Sequence, residues 1–317
     1  MNARELAPTL AALASQGIFL GTSSWKYPGW MGQLYSAERY EYRGKVAKSR
    51  FEKNCLNEYA EVFPSVCVDA SFYRFPGGMY LQGLADQAPA GFLFSHKVTD
   101  TITIKHFPRH RRHGEFAGKD NPHYLDAQVF LHSFLKPLEA HRQKTGLIMF
   151  EFSRFYPRDY EYGRDFVNDL DAFLGKLPTD QWDFGVEMRN ASFLEEPYFE
   201  ALARHNVGHV YNQWQRMPSL AEQLLIHPPN REIAPIGSRL LLKCGRDYEA
   251  AVESFEPYDR IREEQPEVRE AGARLISRLA EKPKGRRSYI YVNNRLEGNA
   301  LATIAAILDL LGGGSNR

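Results

Sequence analysis

The chain contains the stretch Phe184-Gly-Val-Glu-Met-Arg-Asn-Ala-Ser-Phe193, a short apolar segment that ends in charged and polar residues. Side chains alternate between the two faces of a β-strand, so Glu187 and Arg189 share one face with Gly185. An acid and a base on one face at the end of a strand suit the mouth of a barrel better than its packed middle. A structural ion pair that closes the top of a core has the same pattern, and this stretch alone does not separate the two.

The same design recurs along the chain and predicts an α/β fold. Apolar segments that end in small, polar or charged residues alternate with helical patterns, which is typical of parallel strands joined by helices. The predicted strands cover residues 18–25, 66–73, 92–97, 146–151, 184–189, 207–211, 239–244 and 288–294. Eight such units predict a closed (β/α)₈ barrel of the TIM type. An open doubly wound sheet would usually carry a glycine-rich GxGxxG turn after its first strand, and Gly21-Thr-Ser-Ser lacks that pattern.

Length and composition fit a single barrel domain. We predict one domain over residues 1–317, with its core at about 18–311 and a flexible tail at 312–317. The formal net charge of +1 provides no global field that would attract nucleic acid or a membrane. The three cysteines are widely spaced and suggest neither a disulfide framework nor a zinc site, so we expect a cytoplasmic location. No apolar run approaches the length of a membrane span.

A long basic segment follows the predicted third strand. Residues 99–122 lack helical or strand periodicity and contain Lys105-His-Phe-Pro-Arg-His-Arg-Arg-His113. Such a charge run is usually a solvated loop. Because loops after barrel strands lie on the active face, this one could instead bind an anion, with Arg109 and Arg111 as the binding residues. Its histidines lie beside arginines and lack a supporting carboxylate, so we predict no metal site.

Aromatic residues are concentrated in the loop after the first strand. Trp25, Tyr27 and Trp30 lie within six residues and are interleaved with Pro28 and Gly29. This pattern favours the wall of a pocket over the face of a helix. We therefore predict that Trp25 and Tyr27 bind the substrate by stacking on a sugar or a base.

The polar ends of the strands define a candidate active site, since TIM-barrel enzymes draw catalytic groups from the carboxyl ends of several strands. We predict Asp69, Lys97, Glu151 and Glu187 as catalytic residues, and Tyr73, Arg189 and Asn293 as further substrate-binding residues; Lys243 belongs to the same predicted ring. Neighbouring carboxylates and a lysine shift each other's pKa values apart, as general acid–base catalysis requires. The alternative is a buried ion network that only closes the top of the barrel.

Several stretches, taken together and in order, resemble the YecE-like family, the domain of unknown function 72. They are Gly21-Thr-Ser-Ser-Trp25, Ser71-Phe-Tyr-Arg-Phe-Pro76, Phe94-Ser-His-Lys97, Val186-Glu-Met-Arg189 and Asn293-Asn294 with Gly298. The resemblance runs from about residue 18 to residue 311. It implies a TIM-type barrel and a cytoplasmic protein, and it implies little chemistry because the general activity of the family is not established.

The departures from the family pattern lie at the ends of strands. The second strand of the family typically reads Val-Glu-x-Asn, where this chain has Cys67 and Asp69 in the places of Glu and Asn. The fourth strand typically carries Gln where this chain has Glu151, and the seventh often shows Arg and His where this chain has Leu242 and Cys244. These changes mark a divergent branch of the family.

The sequence favours an enzyme over a binding protein. We expect a hydrolase or lyase that acts on a small polar, anionic or sugar-like substrate by acid–base chemistry at the C-terminal mouth of the barrel. No motif selects the reaction or identifies a cofactor. One alternative is a nucleic-acid-binding or processing protein that uses the basic loop 105–113 and the aromatic loop 25–30. A non-catalytic ligand sensor built on a barrel is another.

Overall fold

A computed structural model describes residues 2–229, 234–281 and 285–313. Eight parallel strands form a closed barrel, and each strand pairs with its neighbours in chain order. The strands are β1 Ile18–Thr22, β2 Ser65–Val68, β3 Leu93–Lys97, β4 Thr145–Phe152, β5 Phe184–Met188, β6 Gly208–Gln213, β7 Ile236–Leu240 and β8 Ser288–Val292. The predicted TIM-type (β/α)₈ barrel is therefore confirmed.

Helices flank the barrel strands. The α-helices are Ala7–Ser15, Lys48–Tyr59, Gly78–Ala85, Gly163–Leu174, Glu196–Arg204, Leu220–Ile226, Tyr248–Phe255, Pro266–Ala280 and Ala300–Gly313. Between β3 and β4, the segments Ala127–Val129 and Lys136–Leu138 are joined by a π-helical stretch, Phe130–Leu135. Single helical turns are formed by Ala37–Tyr40, Ala70–Tyr73 and Asp100–Thr103, and a small hairpin joins Glu41–Tyr42 to Lys45–Val46. Within the described ranges, no helix is long and apolar enough to cross a membrane.

The interior of the barrel is a packed core and not a pore. Its centre is filled by buried apolar side chains that point inward from several strands, among them Leu147, Val210 and Tyr289. Two inward-facing glycines make room for them, because a Cβ atom on Gly237 would lie 2.7 Å from side-chain atoms of Leu147 and Val210. A Cβ atom on Gly185 would lie 2.9 Å from Val210. Above this apolar layer, towards the carboxyl ends of the strands, the inward-facing residues are charged.

Three predicted strands differ from the structure by three residues or more. The first was expected to reach residue 25, but β1 ends at Thr22. The second was expected to continue to residue 73, but β2 ends at Val68, and Ala70–Tyr73 is a helical turn. The seventh was expected at 239–244, whereas β7 starts three residues earlier, at Ile236. Its inward-facing positions hold Gly237 and Arg239, so the strand lacks the apolar alternation that identifies the others. The helices 220–226 and 248–255 were not predicted.

The C-terminus also differs from expectation. Residues 312–317 were predicted to form a flexible tail, but the last helix continues to Gly313. Residues 314–317 lie outside the described part of the chain.

Candidate active site at the mouth of the barrel

A cavity of about 450 Å³ lies at the carboxyl ends of the strands. Inward-facing residues at the strand ends form its floor, and the loops after β2, β3, β4, β6, β7 and β8 form its walls. It is lined by Asp69, Phe72, Tyr73, Lys97, Thr103, Ile104, Lys105, His106, Pro108, Arg112, Glu151, Ser153, Arg154, Phe155, Tyr156, Arg158, Asp159, Arg189, Trp214, Arg239, Leu241, Tyr248 and Arg295. This is the face on which TIM-barrel enzymes place their active sites.

Arg239 is the centre of an ion network in the floor of the cavity. Its Nη1 atom lies 2.8 Å from Glu151 Oε2 and 2.7 Å from Glu187 Oε2. Its Nη2 atom lies 3.1 Å from Asp69 Oδ1. The side chain is only 3% exposed, so these contacts form in a largely water-free environment. One guanidinium therefore joins acids that belong to β4 and β5 and to the end of β2.

Two further cations complete the network. Arg189 Nη2 lies 2.8 Å from Glu151 Oε2 and 2.9 Å from Glu187 Oε1. Lys97 Nζ lies 2.7 Å from the same Glu151 Oε2 atom. The network thus contains three cations and three carboxylates and is formally neutral. Glu151 is its most heavily contacted acid, because one of its oxygens meets all three cations.

The electrostatic environment keeps Glu151 ionised. Burial by itself would raise the pKa of this carboxyl, but Arg189, Lys97 and Arg239 outweigh burial and hold the pKa well below its ordinary value. Glu151 is therefore a poor proton donor near neutral pH. Arg189 and Arg239 each contact both Glu151 and Glu187, and the acid–base role expected of this pair remains a prediction.

The structure brings together five of the residues predicted for the site. Asp69, Lys97, Glu151, Glu187 and Arg189 all belong to the ion network. Their catalytic and binding roles remain predictions. Glu187 is fully buried and does not line the cavity, whereas the Asp69 side chain is 31% exposed. Asp69 is consequently the most accessible carboxylate of this network.

Tyr73 also lies at the cavity, where it forms part of the mouth. Its ring is 65% exposed, and the guanidinium of Arg112 lies 5.1 Å from the ring centroid. Arg112 in turn pairs with Asp100 at 3.0 Å. Arg112 is the arginine of the basic run that lines the cavity, whereas Arg109 and Arg111 are exposed and do not. The two arginines predicted to bind the substrate, Arg109 and Arg111, therefore do not line the cavity.

The aromatic loop does not wall the cavity, in contrast to the prediction. Trp25 is only 5% exposed and belongs to the apolar core, and Tyr27 packs on Trp30 and Tyr258 at centroid distances of 4.8 and 5.6 Å. Neither Trp25 nor Tyr27 lines the cavity. The reason is that a residue distant in sequence, Tyr258, packs against this loop and helps to turn its rings inward.

Two other predicted residues serve the local structure. Asn293 is buried, and its Oδ1 atom accepts a hydrogen bond from the backbone N–H of Arg295 at 2.9 Å. Lys243 extends away from the ring and pairs with Glu263 at 2.7 Å. Arg239 takes the position in the ring that was expected for Lys243. The sequence analysis missed Arg239 because it placed the seventh strand at 239–244, three residues too late.

The basic loop is held over the cavity by its own contacts. Asn121 Nδ2 donates hydrogen bonds to the carbonyl oxygens of Thr101 and Ile104 at 2.7 and 2.6 Å. Further along, His106 lines the cavity, and its Nδ1 atom lies 2.9 Å from Asp120 Oδ1. Residues 103–112 thus form one wall, in the position that was expected for an anion-binding loop.

Pairs of tyrosine and arginine surround the mouth of the cavity. Arg295 lies 4.5 Å from the ring centroid of Tyr248, and Arg154 lies 5.4 Å from that of Tyr156. Deeper in the wall, Arg189 stacks on Trp214 at 4.1 Å. Apart from Arg189, the sequence analysis did not identify these residues, because most of them lie in loops without periodicity. In the described part of the chain, no group of three or more His, Cys, Asp or Glu residues is arranged to hold a metal ion.

Comparison with known proteins identifies the family. A family model described as "Protein of unknown function DUF72" matches residues 19–317. A DUF72 family protein from Enterococcus faecalis V583 has 14% identity, a TM-score of 0.60 and coverage of 93% of this chain and 95% of that chain. A DUF72 family protein from Thermotoga maritima MSB8 has 19% identity, a TM-score of 0.56 and coverage of 95% and 99%. The curated proteins contain no match. The chain therefore belongs to the DUF72 family, whose function is unknown.

Proposed function

We propose that this protein is an enzyme that binds a small anionic substrate in the cavity at the mouth of the barrel. The observation that carries the proposal is the charge of the lining. Eight lysine and arginine side chains face three aspartate and glutamate side chains there, together with six aromatic rings. A semi-enclosed cationic cavity attracts an anion, because the low-dielectric walls strengthen each charge–charge interaction.

The excess positive charge lies at the rim and not in the floor. Lys97, Arg189 and Arg239 are neutralised by the carboxylates of the ion network. Within the described ranges, neither Arg154 nor Arg295 forms an ion pair; each guanidinium is found beside a tyrosine ring. These two arginines therefore have the charge available to bind an anionic group of the substrate.

The floor supplies groups for acid–base chemistry of the hydrolase or lyase kind. Asp69 is bound by one cation, Arg239, and faces the cavity. Lys97 lies beside it in the lining and carries ammonium protons that can stabilise negative charge as it develops. In this proposal Asp69 accepts a substrate proton, and Glu151 and Glu187 hold the cations in place. The small number and wide spacing of the cysteines support a cytoplasmic location.

The proposal predicts that Arg295→Gln weakens binding of pyrophosphate by roughly tenfold, because a charge-assisted hydrogen bond contributes about 1.5–3 kcal/mol. Isothermal titration of the full-length protein with pyrophosphate measures the affinity. The matched control is Arg274→Gln, which changes an exposed arginine on the helix Pro266–Ala280, away from the cavity. Equal affinities of the two variants, or no binding by the wild type, would contradict an anion site at this rim.

Nucleic-acid binding is the second candidate, and the exposed tyrosines favour it. Tyr73 and Tyr156 are 65% and 51% exposed, and each lies beside an arginine, as in surfaces that stack bases and contact phosphates. If a single-stranded oligonucleotide is the ligand, its affinity should fall with salt with a slope of about −0.7 per phosphate contacted. Tyr156→Ala should then weaken binding of the oligonucleotide, because it removes a ring on which a base stacks. We expect the oligonucleotide to bind no more tightly than pyrophosphate, and the opposite order would favour this second candidate.

A further inference from the structure

The geometry points to a sugar phosphate as the substrate class, with its hydroxyl groups on the floor of the cavity and its phosphate at the rim beside Arg295. This inference rests on the proposed function and deepens it. It depends on a division of the cavity into two regions of different charge, a formally neutral floor and a cationic rim.

The floor suits hydroxyl groups because it is polar but formally neutral. Asp69 offers an acceptor, since its Oδ1 atom meets Arg239 while Oδ2 receives no hydrogen bond from a described residue. Thr103 lines the adjoining wall of the same cavity, and its hydroxyl is buried without a hydrogen-bond partner in the described ranges. A buried hydroxyl without a partner costs free energy that a substrate hydroxyl can recover. The carboxylates of Asp69 and Glu151 would instead repel a negatively charged group of the substrate in this region.

The rim suits a phosphate, and Arg295 is its best-positioned residue. Arg295 lies in the turn after β8, and phosphate sites of TIM barrels frequently use the loops after the seventh and eighth strands. Its guanidinium lies 4.5 Å from the ring centroid of Tyr248, and the residue is half-buried. Arg154, by comparison, is exposed and lies 5.4 Å from the ring centroid of Tyr156. A restrained arginine loses less conformational entropy when it binds an anion.

An aromatic wall connects the two regions. Trp214 and Tyr248 both line the cavity, with ring centroids 6.4 Å apart, and Arg189 covers one side of the indole. The apolar face of a sugar ring packs on such a surface while its hydroxyls reach polar groups beside it. The volume of about 450 Å³ lies within the range of small-molecule sites.

The inference is tested by titrating the protein with inorganic phosphate, ribose and ribose 5-phosphate. We expect ribose 5-phosphate to bind the wild type roughly tenfold more tightly than phosphate. One or two hydrogen bonds made by the ribose hydroxyls contribute the free energy that corresponds to this factor. Arg295→Gln should weaken binding of both phosphate compounds. Thr103→Val, which removes a hydroxyl and no charge, should reduce the advantage of ribose 5-phosphate and leave the affinity for phosphate unchanged.

The variants and ligands separate two kinds of failure. If phosphate and ribose 5-phosphate bind the wild type equally, the substrate class is wrong although the anion site remains. If Thr103→Val, which changes no charge and little volume, leaves the advantage of the sugar intact, the floor does not bind hydroxyls and the inference is overturned. If neither phosphate compound binds, the proposed function itself is wrong.

Discussion

Arg239→Met should lower the free energy of unfolding by about 3–5 kcal/mol at pH 7, because it removes the shared partner of three buried or half-buried acids. Asp69, Glu151 and Glu187 each lose one contact with a guanidinium nitrogen at 2.7–3.1 Å. Only Lys97 and Arg189 would remain to compensate them. Methionine approximately retains the volume of the arginine stem, so the loss reflects charge more than packing. Urea unfolding followed by circular dichroism measures the change.

The pH dependence of the unfolding free energy of Arg239→Met distinguishes the loss of charge interactions from the loss of packing. Uncompensated carboxylates bind protons more readily in the folded variant than in the unfolded chain, so the variant should lose stability as the pH rises from about 4 to 7. The difference in unfolding free energy between the wild type and the variant should therefore be smaller at pH 4 than at pH 7. Arg274→Met on the exposed helix face is the control and should change stability by less than about 0.5 kcal/mol. A deficit below about 1 kcal/mol at pH 7, or one that is independent of pH, would show that Arg239 does not stabilise the network.

The barrel could be predicted from the sequence because most strands carry their signal locally. β4 and β5 are apolar until a charged residue at the carboxyl end, and this pattern recurs at regular intervals with helices between. The same local pattern identified Asp69, Lys97, Glu151, Glu187 and Arg189 as inward-facing residues at one end of the barrel. For residues at the ends of strands, alternation and strand direction are sufficient to place the side chains together.

The remaining site residues depend on contacts that no local pattern contains. β7 presents Gly237 and Arg239 to the interior, and the arginine is stable there only because acids from other strands meet it. The aromatic loop turns its rings into the core because Tyr258 packs against it. Arg154 and Arg295 lie in loops, where the sequence has no period from which to infer their direction. The local pattern thus predicts the acids of the floor together with Lys97 and Arg189, and it misses Arg154, Arg239 and Arg295.

The departures from the family pattern on strands two and four, at Cys67 and Glu151, both concern the acids that surround Arg239. The family pattern has Glu and Gln where this chain has Cys67 and Glu151. Cys67 Sγ lies 3.7 Å from Asp69 Oδ1, the same atom that Arg239 contacts at 3.1 Å. Burial, and then the neighbouring Asp69, raises the pKa of the Cys67 thiol, so this residue is neutral at physiological pH. Glu151 therefore contacts this guanidinium directly, and Cys67 contacts an oxygen that the guanidinium also contacts. We expect that an acid at either position can pair with Arg239.

Glu151→Gln should lower the free energy of unfolding by about 1–3 kcal/mol at pH 7, because Lys97, Arg189 and Arg239 lose the charge of the oxygen that all three contact. The pKa of Glu151 is depressed in the folded state, so its contribution is present above the ordinary glutamate pKa of about 4.3 and is lost as the pH falls. The unfolding free energies of wild type and variant should therefore converge on acidification below that pH.

Adding Cys67→Glu to Glu151→Gln should recover most of the loss, although Cys67→Glu alone should destabilise the protein. Alone, the new glutamate adds a fourth carboxylate to a network that is already neutral, and it crowds a packed interior next to Tyr291 and Met149. In the double variant the network is neutral again, with Arg239 bound by an acid from β2 instead of β4. Residues that share a partner couple, whereas independent sites give additive changes. A double-mutant cycle in urea measures this coupling, and purely additive effects would mean that the two positions do not serve the same arginine.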